Sequence, residues 1–452
     1  MTPKSKQTRT ESDLLGEIEV PTEALHGAWT QRAVLNFPTG NQRTIGSLPT
    51  LIEGLMAIKQ AAAKVNARNG FLPQEKANAI VDAAKSVLSE PHFDQFPVHA
   101  LHGGGGTSAN MNANEVVANL AEERLGGTRG HYRIIHPNDH VSLHQSTNDV
   151  YLTACHIAVL LHWPALETAL DRLYETFDKR ADELRDQRRI GRTCLQDAVD
   201  ITFGDLLGGY ASFVKRACVR VREAVDQLHS VNLGGTIVGR PEDVPEPYFH
   251  QIVAELAEVT GDVKFRRAEN LFDAAQNPDD IAAVASQLDG LARGLIKIGQ
   301  DFRWMGSGPE AGLQEVELPP MQPGSTCMPG KVNPVIPEFL IQAGFQVIGC
   351  NAASQAALEH GELDINIWES TFVFNILEAM EMLTTAVTQF EERCIRGFVV
   401  NEERNSRNAD SIIALLRRLT LRYGYSKISD VCRESYQDPD RLRELLRKRG
   451  YV

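Results

Sequence analysis

The sequence predicts a mainly all-α protein: an elongated multi-helix bundle with smaller N- and C-terminal domains. Three observations carry this. Phe372, Ile376, Met380, Leu383, Val387, Phe390 and Cys394 recur at intervals of four, four, three, four, three and four residues, a helical period held over about six turns. The segments Asn277 to Arg303 and Asp200 to Val231 are patterned alike, and Val335 to Leu358 is an uninterrupted helical run. No run of alternating strands and no strand–helix–strand rhythm interrupts them. Long helices joined by short breaks in one chain make a bundle.

Along the chain, Met1 to Asp13 is polar and partly basic with no apolar centre, so it reads as a disordered tail and not as a secretory signal. Leu51 to Asn69 reads as a helix closed by Gly70 and Pro73. Gly103 to Gly106 is a run of glycines before a helix. From Ser146 to Val399 long helices dominate, with a kink or break expected at Pro164. The charged remainder reads as a small helical cap. The expected domains are 1–142, 143–398 and 399–452.

The chain has 452 residues, 42% of them apolar and 23% charged, with a net charge of −13. A large core is therefore available, and a nucleic-acid or anionic-membrane partner, which needs a basic face, is excluded. No apolar run reads as a membrane span of roughly 20 residues. Seven scattered cysteines without a C-x-x-C pair fit a reduced cytoplasmic enzyme better than a disulfide scaffold or a zinc site.

The most informative segment is Gly324-Ser325-Thr326-Cys327-Met328-Pro329-Gly330-Lys331-Val332-Asn333-Pro334. Its glycines and prolines forbid regular structure and make it a shaped loop. A candidate base (Ser325), a cation (Lys331) and an amide (Asn333) stand just before a helix, which suits work on a carboxylate. Two further polar clusters precede helices: Gly106-Thr107-Ser108 and Gln145-Ser146-Thr147-Asn148-Asp149. One alone is an ordinary N-cap. Three together could bind the two carboxylates of a small dicarboxylic acid. The glycine run lacks the frame of a dinucleotide fingerprint and the Gly-Lys-Ser/Thr of a P-loop.

Read on to Glu338, the loop resembles the signature of the aspartase/fumarase superfamily, and is most similar to aspartate ammonia-lyases. The resemblance extends from about residue 14 to 432. It includes Leu14-Leu15-Gly16-Glu17, Gly106-Thr107-Ser108-Ala109-Asn110-Met111-Asn112, His136-Pro137-Asn138-Asp139-His140, Gln145 to Asp149, Gly191-Arg192-Thr193 and Asn232-Leu233-Gly234-Gly235-Thr236. It implies a homotetramer with a twenty-helix core and active sites built from three subunits. It implies anti-elimination across a succinyl skeleton, releasing fumarate, without a cofactor or a metal. By resemblance Ser325 removes the Cβ proton, and Lys331 and Asn333 hold the α-carboxylate. Thr107, Ser108, Ser146 and Thr147, with Thr326, grip the other carboxylate. Asn148 and Thr193 contact the leaving group or the neighbouring carboxylate, and Glu338 supports the site.

His136, His140 and His144 have conceivable metal spacing but no helical carboxylate motif. By resemblance His136, Asn138 and Asp139 form a secondary anion site. One departure bears on chemistry. Cys194 stands where the family usually has His or Gln, and a thiol is a weak donor and a poor acid for a hydroxide leaving group. This favours carbon–nitrogen over carbon–oxygen elimination, with L-aspartate or a modified aspartate as substrate. A fumarase-type hydratase, and a silent structural or regulatory protein on a lyase scaffold, remain the alternatives.

Overall fold

The computed structural model describes residues 7–90, 92–435 and 438–452. The chain opens on a hairpin, β1 (Thr8–Asp13) against β2 (Gly16–Pro21), antiparallel with Asp13 opposite Gly16. The expected disordered tail is thus corrected from Thr8 onward, while its first six residues lie outside the described residues. Arg9 explains the order: its guanidinium donates to the carbonyls of Pro21, Thr22, Ala24 and His26, closing a network no periodicity reveals.

Helices α1 (Ala28–Asn36), α2 (Pro49–Arg68), α3 (Gln74–Ser89) and α4 (Thr107–Arg124) follow. Then come α5 (Thr147–Glu183), the hairpin β3 (Arg188–Thr193) and β4 (Gln196–Thr202), and α6 (Phe203–Gln227). The two-residue strands β5 (Ser230–Val231) and β6 (Arg266–Arg267) pair in parallel around α7 (Glu246–Thr260). After α8 (Leu271–Gln276) and α9 (Asp279–Met305), β7 (Val316–Glu317) pairs with β8 (Val399–Val400). Between those two strands lie α10 (Val335–Leu358) and α11 (Glu369–Phe390). The chain closes with α12 (Glu402–Ala409), α13 (Ile412–Tyr423), α14 (Tyr425–Glu434) and α15 (Pro439–Lys448). The protein is mainly helical as expected, but the expectation of no strands is corrected to four two-stranded pairs among the described residues.

The apolar stripe from Phe372 to Cys394 is buried throughout. Pro164 does not break α5. Its ring removes one helical hydrogen bond, but Trp163 and Leu166 are buried on either side and hold the turn in place. By length and composition α5 could also cross a bilayer, which corrects the reading that no such run exists. However, 72% of its most apolar window is buried inside the protein, as in a core helix.

Two compact units divide these elements. One comprises residues up to Glu167, Val219–Gly290 and Gln346–Met382; the other comprises Thr168–Cys218, Leu291–Phe345 and Leu383–Val452. In the first, α2 packs on α3 and α7, and Gly54 allows α5 to come close, since a Cβ there would stand 2.8 Å from the Ala154 carbonyl oxygen. Helix α4 buries polar side chains, each serving a loop. Glu115 accepts from the backbone N–H groups of Gly27, Trp29 and Thr30 at the start of α1. Glu122 accepts from Ile134 and Ile135, and Asn119 donates to Leu25 O. A buried polar group with partners is tolerable where an unpaired one is not, so α4 acts as a polar spine that fixes the start of α1 and the segment at Ile134 and Ile135.

In the second unit, Phe302 meets Tyr210, Phe390 and Phe398 at centroid separations of 5.3–6.3 Å. Leu419, Ile428, Val431, Leu442 and Leu446 form the small core of the last helices. The hairpin of β3 and β4 carries a bulge between Ile190 and Arg192. It is held from beneath by Glu315, fully buried, which lies 3.1 Å from Arg189 and 2.5 Å from Arg192.

Candidate active site

Within the first unit, the N-termini of α4 and α5 come together. Gly104, Gly105 and Gly106 all have positive φ, and a Cβ on Gly106 would stand 2.1 Å from the Tyr151 ring. Glycine is therefore required for the chain to turn into α4 at Thr107. Thr107 and Ser108 lie half-buried in the first turn. Asn110, on the next turn, donates from Nδ2 to Thr147 Oγ1 at 2.9 Å, joining this helix start to that of α5.

The start of α5 is a reciprocal cap. Ser146 Oγ accepts from Asn148 N at 3.3 Å, and Asp149 Oδ1 accepts from Ser146 N at 3.0 Å. The other oxygen of Asp149 accepts from Gly234 N and Thr236 N at 2.9 and 3.2 Å, which pins the glycine turn beside the cap. Asn148 Nδ2 donates to Ile237 O at 2.7 Å. Burial raises the Asp149 carboxyl to about 6, against the pull of these N–H groups and of Lys59. Two helix N-termini with hydroxyls at their mouths give a positive, donor-rich surface for an anion.

In the second unit, Thr193 and Cys194 sit at the tip of the β3–β4 hairpin. Thr193 pairs with Gln196, and the two residues between them, Cys194 and Leu195, have φ of 50° and 62°. A two-residue turn with both residues left-handed is the type that favours Asn-Gly. Non-glycine residues there cost roughly 1–2 kcal/mol each. Both side chains are exposed, so nothing in the fold of this unit repays that strain. Replacing Cys194 and Leu195 by Asn and Gly is expected to raise stability by about 1–2 kcal/mol while turnover falls. Scanning calorimetry and kcat/KM measured on the same preparation check this; a double variant that gains stability without losing activity removes the pair from the site.

The loop before α10 is also closed by its own backbone. Gly324 N donates to Lys331 O at 2.8 Å, and Asn333 Nδ2 donates to Gly324 O at 2.9 Å. A Cβ on Gly324 would meet Asn333 N at 2.7 Å. Ser325 Oγ accepts from two backbone N–H groups, Cys327 at 3.2 Å and Met328 at 3.0 Å, and stands 3.7 Å from Cys327 Sγ. Ser325, Lys331 and Met328 line a cavity of about 410 Å³ together with Pro320, Pro323 and Val332. Lys331 and Thr326 are exposed, and no carboxylate pairs with the Lys331 ammonium among the described residues. Glu338, in the first turn of α10, faces Arg303 at 3.4 Å.

His136, Asn138 and Asp139 form a self-capped turn in the first unit. The N–H groups of Asn138 and Asp139 donate to His136 Nδ1 at 3.2 and 3.1 Å. His140 accepts from His136 N and lies 3.0 Å from Lys76 Nζ. No group of three or more His, Cys, Asp or Glu side chains that could hold a metal ion occurs among the described residues.

Lys59 and the pair Arg192–Glu315 escaped the sequence reading. Lys59 had a signal: it interrupts the buried face Ile52, Leu55, Met56, Ala62, Ala63 of α2, and a charge on a core face demands partners. Glu315 had none, because its partners lie more than a hundred residues away.

A family model described as a lyase matches residues 16–349. An aspartate ammonia-lyase from Bacillus sp is 39% identical over 444 residues, covering 98% of this chain and 94% of that protein. A class II fumarate hydratase from Ralstonia nicotianae is 38% identical over 447 residues, covering 98% and 96%. Among solved structures, a fumarate lyase/delta crystallin from Brucella melitensis bound to cobalt superposes with a TM-score of 0.94 at 39% identity, covering 98% and 96% of the two chains. A class II fumarase from Schistosoma mansoni superposes with a TM-score of 0.94 at 30% identity, covering 99% and 96%.

Proposed function

Because this chain belongs to the aspartase/fumarase superfamily of lyases, we propose that it is a carbon–nitrogen lyase. It eliminates ammonia or a substituted amine from L-aspartate or an aspartate derivative to release fumarate, with Ser325 as the base. The observation that carries the reading is the pair of N–H groups on Ser325 Oγ. A serine hydroxyl is a poor base, and two oriented amides with Lys331 nearby stabilise its alkoxide.

The alkoxide takes the Cβ proton, and the electron pair moves onto the adjacent carboxylate as an aci-carboxylate dianion. Lys331 and Asn333 hold the other, α-carboxylate. Thr107, Ser108, Ser146 and Thr147 with Thr326 donate to the aci-carboxylate itself at the helix N-termini. The electron pair then returns to form the double bond as the C–N bond breaks, with Thr193 and Asn148 beside the departing nitrogen. Glu338 supports the loop, and His136, Asn138 and Asp139 form an outlying anion site.

Cys194 favours nitrogen over oxygen as the leaving atom, since a neutral amine needs less help from an acid than hydroxide does. The comparisons support both chemistries about equally, at 39% and 38% identity, so fumarase activity is the second reading. A homotetramer sharing each site among three subunits fits α10, a largely apolar helix that exposes Phe339 and Phe345; exposed aromatics on such a helix call for cover. Seven free cysteines fit the reducing cytoplasm. The test is fumarate absorbance with L-aspartate, N-substituted aspartates and L-malate. Release from an aspartate alone is expected; release from malate at equal or greater rate overturns the C–N assignment, and full activity on L-aspartate alone excludes a special amine.

A further inference from the structure

We propose that Lys59 is a positioning residue that sets the polarity of the Thr147 hydroxyl, acting through Asn110 so that Thr147 presents its proton to the substrate carboxylate. The inference rests on the function proposed above, and on a proton inventory within one compact unit.

Lys59 is fully buried in the middle of α2. Its ammonium lies 2.8 Å from Asn110 Oδ1 and 2.8 Å from Gln145 Oε1. Nζ donates in both contacts, so both amides turn their oxygens toward it. That dictates the rest. With Oδ1 facing Lys59, the Asn110 NH₂ faces Thr147 and donates to Oγ1 at 2.9 Å. Thr147 Oγ1 is thereby an acceptor on its inner side, and its own proton points elsewhere. No acceptor takes that proton among the described residues. Thr147 is the first residue of α5, where no preceding helical carbonyl is within its reach. The proton is left for an anion at the joined helix N-termini.

Gln145 is fixed in the same way: its oxygen faces Lys59, and its NH₂ donates to Val141 O at 2.8 Å, tying down the approach to Ser146. A leucine or methionine would fill the position of Lys59 on the core face of α2 as well as lysine does. What only lysine supplies there is a donor that polarises two amides in a defined sense. Removing it leaves Asn110 free to flip, which would turn its oxygen to Thr147, draw the hydroxyl proton inward and offer the substrate only lone pairs.

The test measures fumarate affinity by calorimetry and KM for the turned-over substrate, on the full-length protein. Lys59→Met and Asn110→Asp are each expected to weaken fumarate binding and raise KM by about tenfold, the effect of one hydrogen bond, with kcat changed much less. Asn110→Asp keeps the shape and gains an ion pair with Lys59, so its Tm is expected to hold or rise, which separates proton polarity from a folding defect. In a Thr147→Val background, Lys59→Met is expected to add nothing further. Equal losses from Lys59→Met in both backgrounds, or unchanged binding in both Lys59→Met and Asn110→Asp while Thr147→Val is impaired, overturn this inference alone. Wild-type protein that binds no fumarate overturns the proposed function and this inference together.

Discussion

Ser325→Ala is expected to lower kcat by about 10²–10⁴, the usual worth of a general base, with wild-type elution on gel filtration and unchanged fumarate affinity. The backbone N–H groups of Cys327 and Met328 that now point at Oγ would then face solvent or substrate. The loop is expected to stay closed through the Gly324–Lys331 backbone bond and the Asn333 amide bond to Gly324, although it loses the two bonds to the Ser325 hydroxyl. Turnover within a factor of a few of wild type would remove Ser325 from the role of base. Because the loop is exposed and holds little core, a fall in stability is not expected and would itself argue for a structural function.

The second large effect is on stability. Glu315→Ala is expected to cost about 3–5 kcal/mol, the range for breaking a buried ion pair by removing one partner. Glu315 is fully buried, and Arg189 is 8% exposed. Without the carboxylate, the guanidiniums of Arg189 and Arg192 on β3 would be left without their shared counter-charge. Repulsion there displaces Thr193 and Cys194 at the tip of the β3–β4 hairpin, so activity is expected to fall with stability. Urea unfolding followed by circular dichroism checks the first, and fumarate release checks the second. An unchanged midpoint would mean that water reaches the cluster and screens it.

Helices were the legible part of this fold. Val335 to Leu358 reads as a helix from its apolar run after Pro334, and it is one; the stripe from Phe372 to Cys394 is buried at every position. The hairpins were not legible. Thr8–Asp13 reads as a polar tail because its order comes from Arg9 bonding four carbonyls. The strands β5 to β8 are two residues long, too short for any period. Pro164 shows the reverse: of the kink or break expected there, the break does not occur, since α5 runs through it.

The candidate site divides in the same manner. Ser325, Lys331, Thr107 and Thr147 stood out because residue types of that chemistry sit next to helix starts, and a helix start is a local event set by glycine, proline and capping side chains. Sequence thus determined the helical class and the family, and named the candidate site residues. Only the tertiary structure decided that Asn110 bonds Thr147, that Lys59 orients Asn110, and that Glu315 carries the Thr193 hairpin. Lys59 and Asn110 are 51 residues apart and Arg192 and Glu315 more than a hundred. Hydrogen bonds and ion pairs act over a few ångströms of space, whatever the distance along the chain, and leave no periodic trace in it.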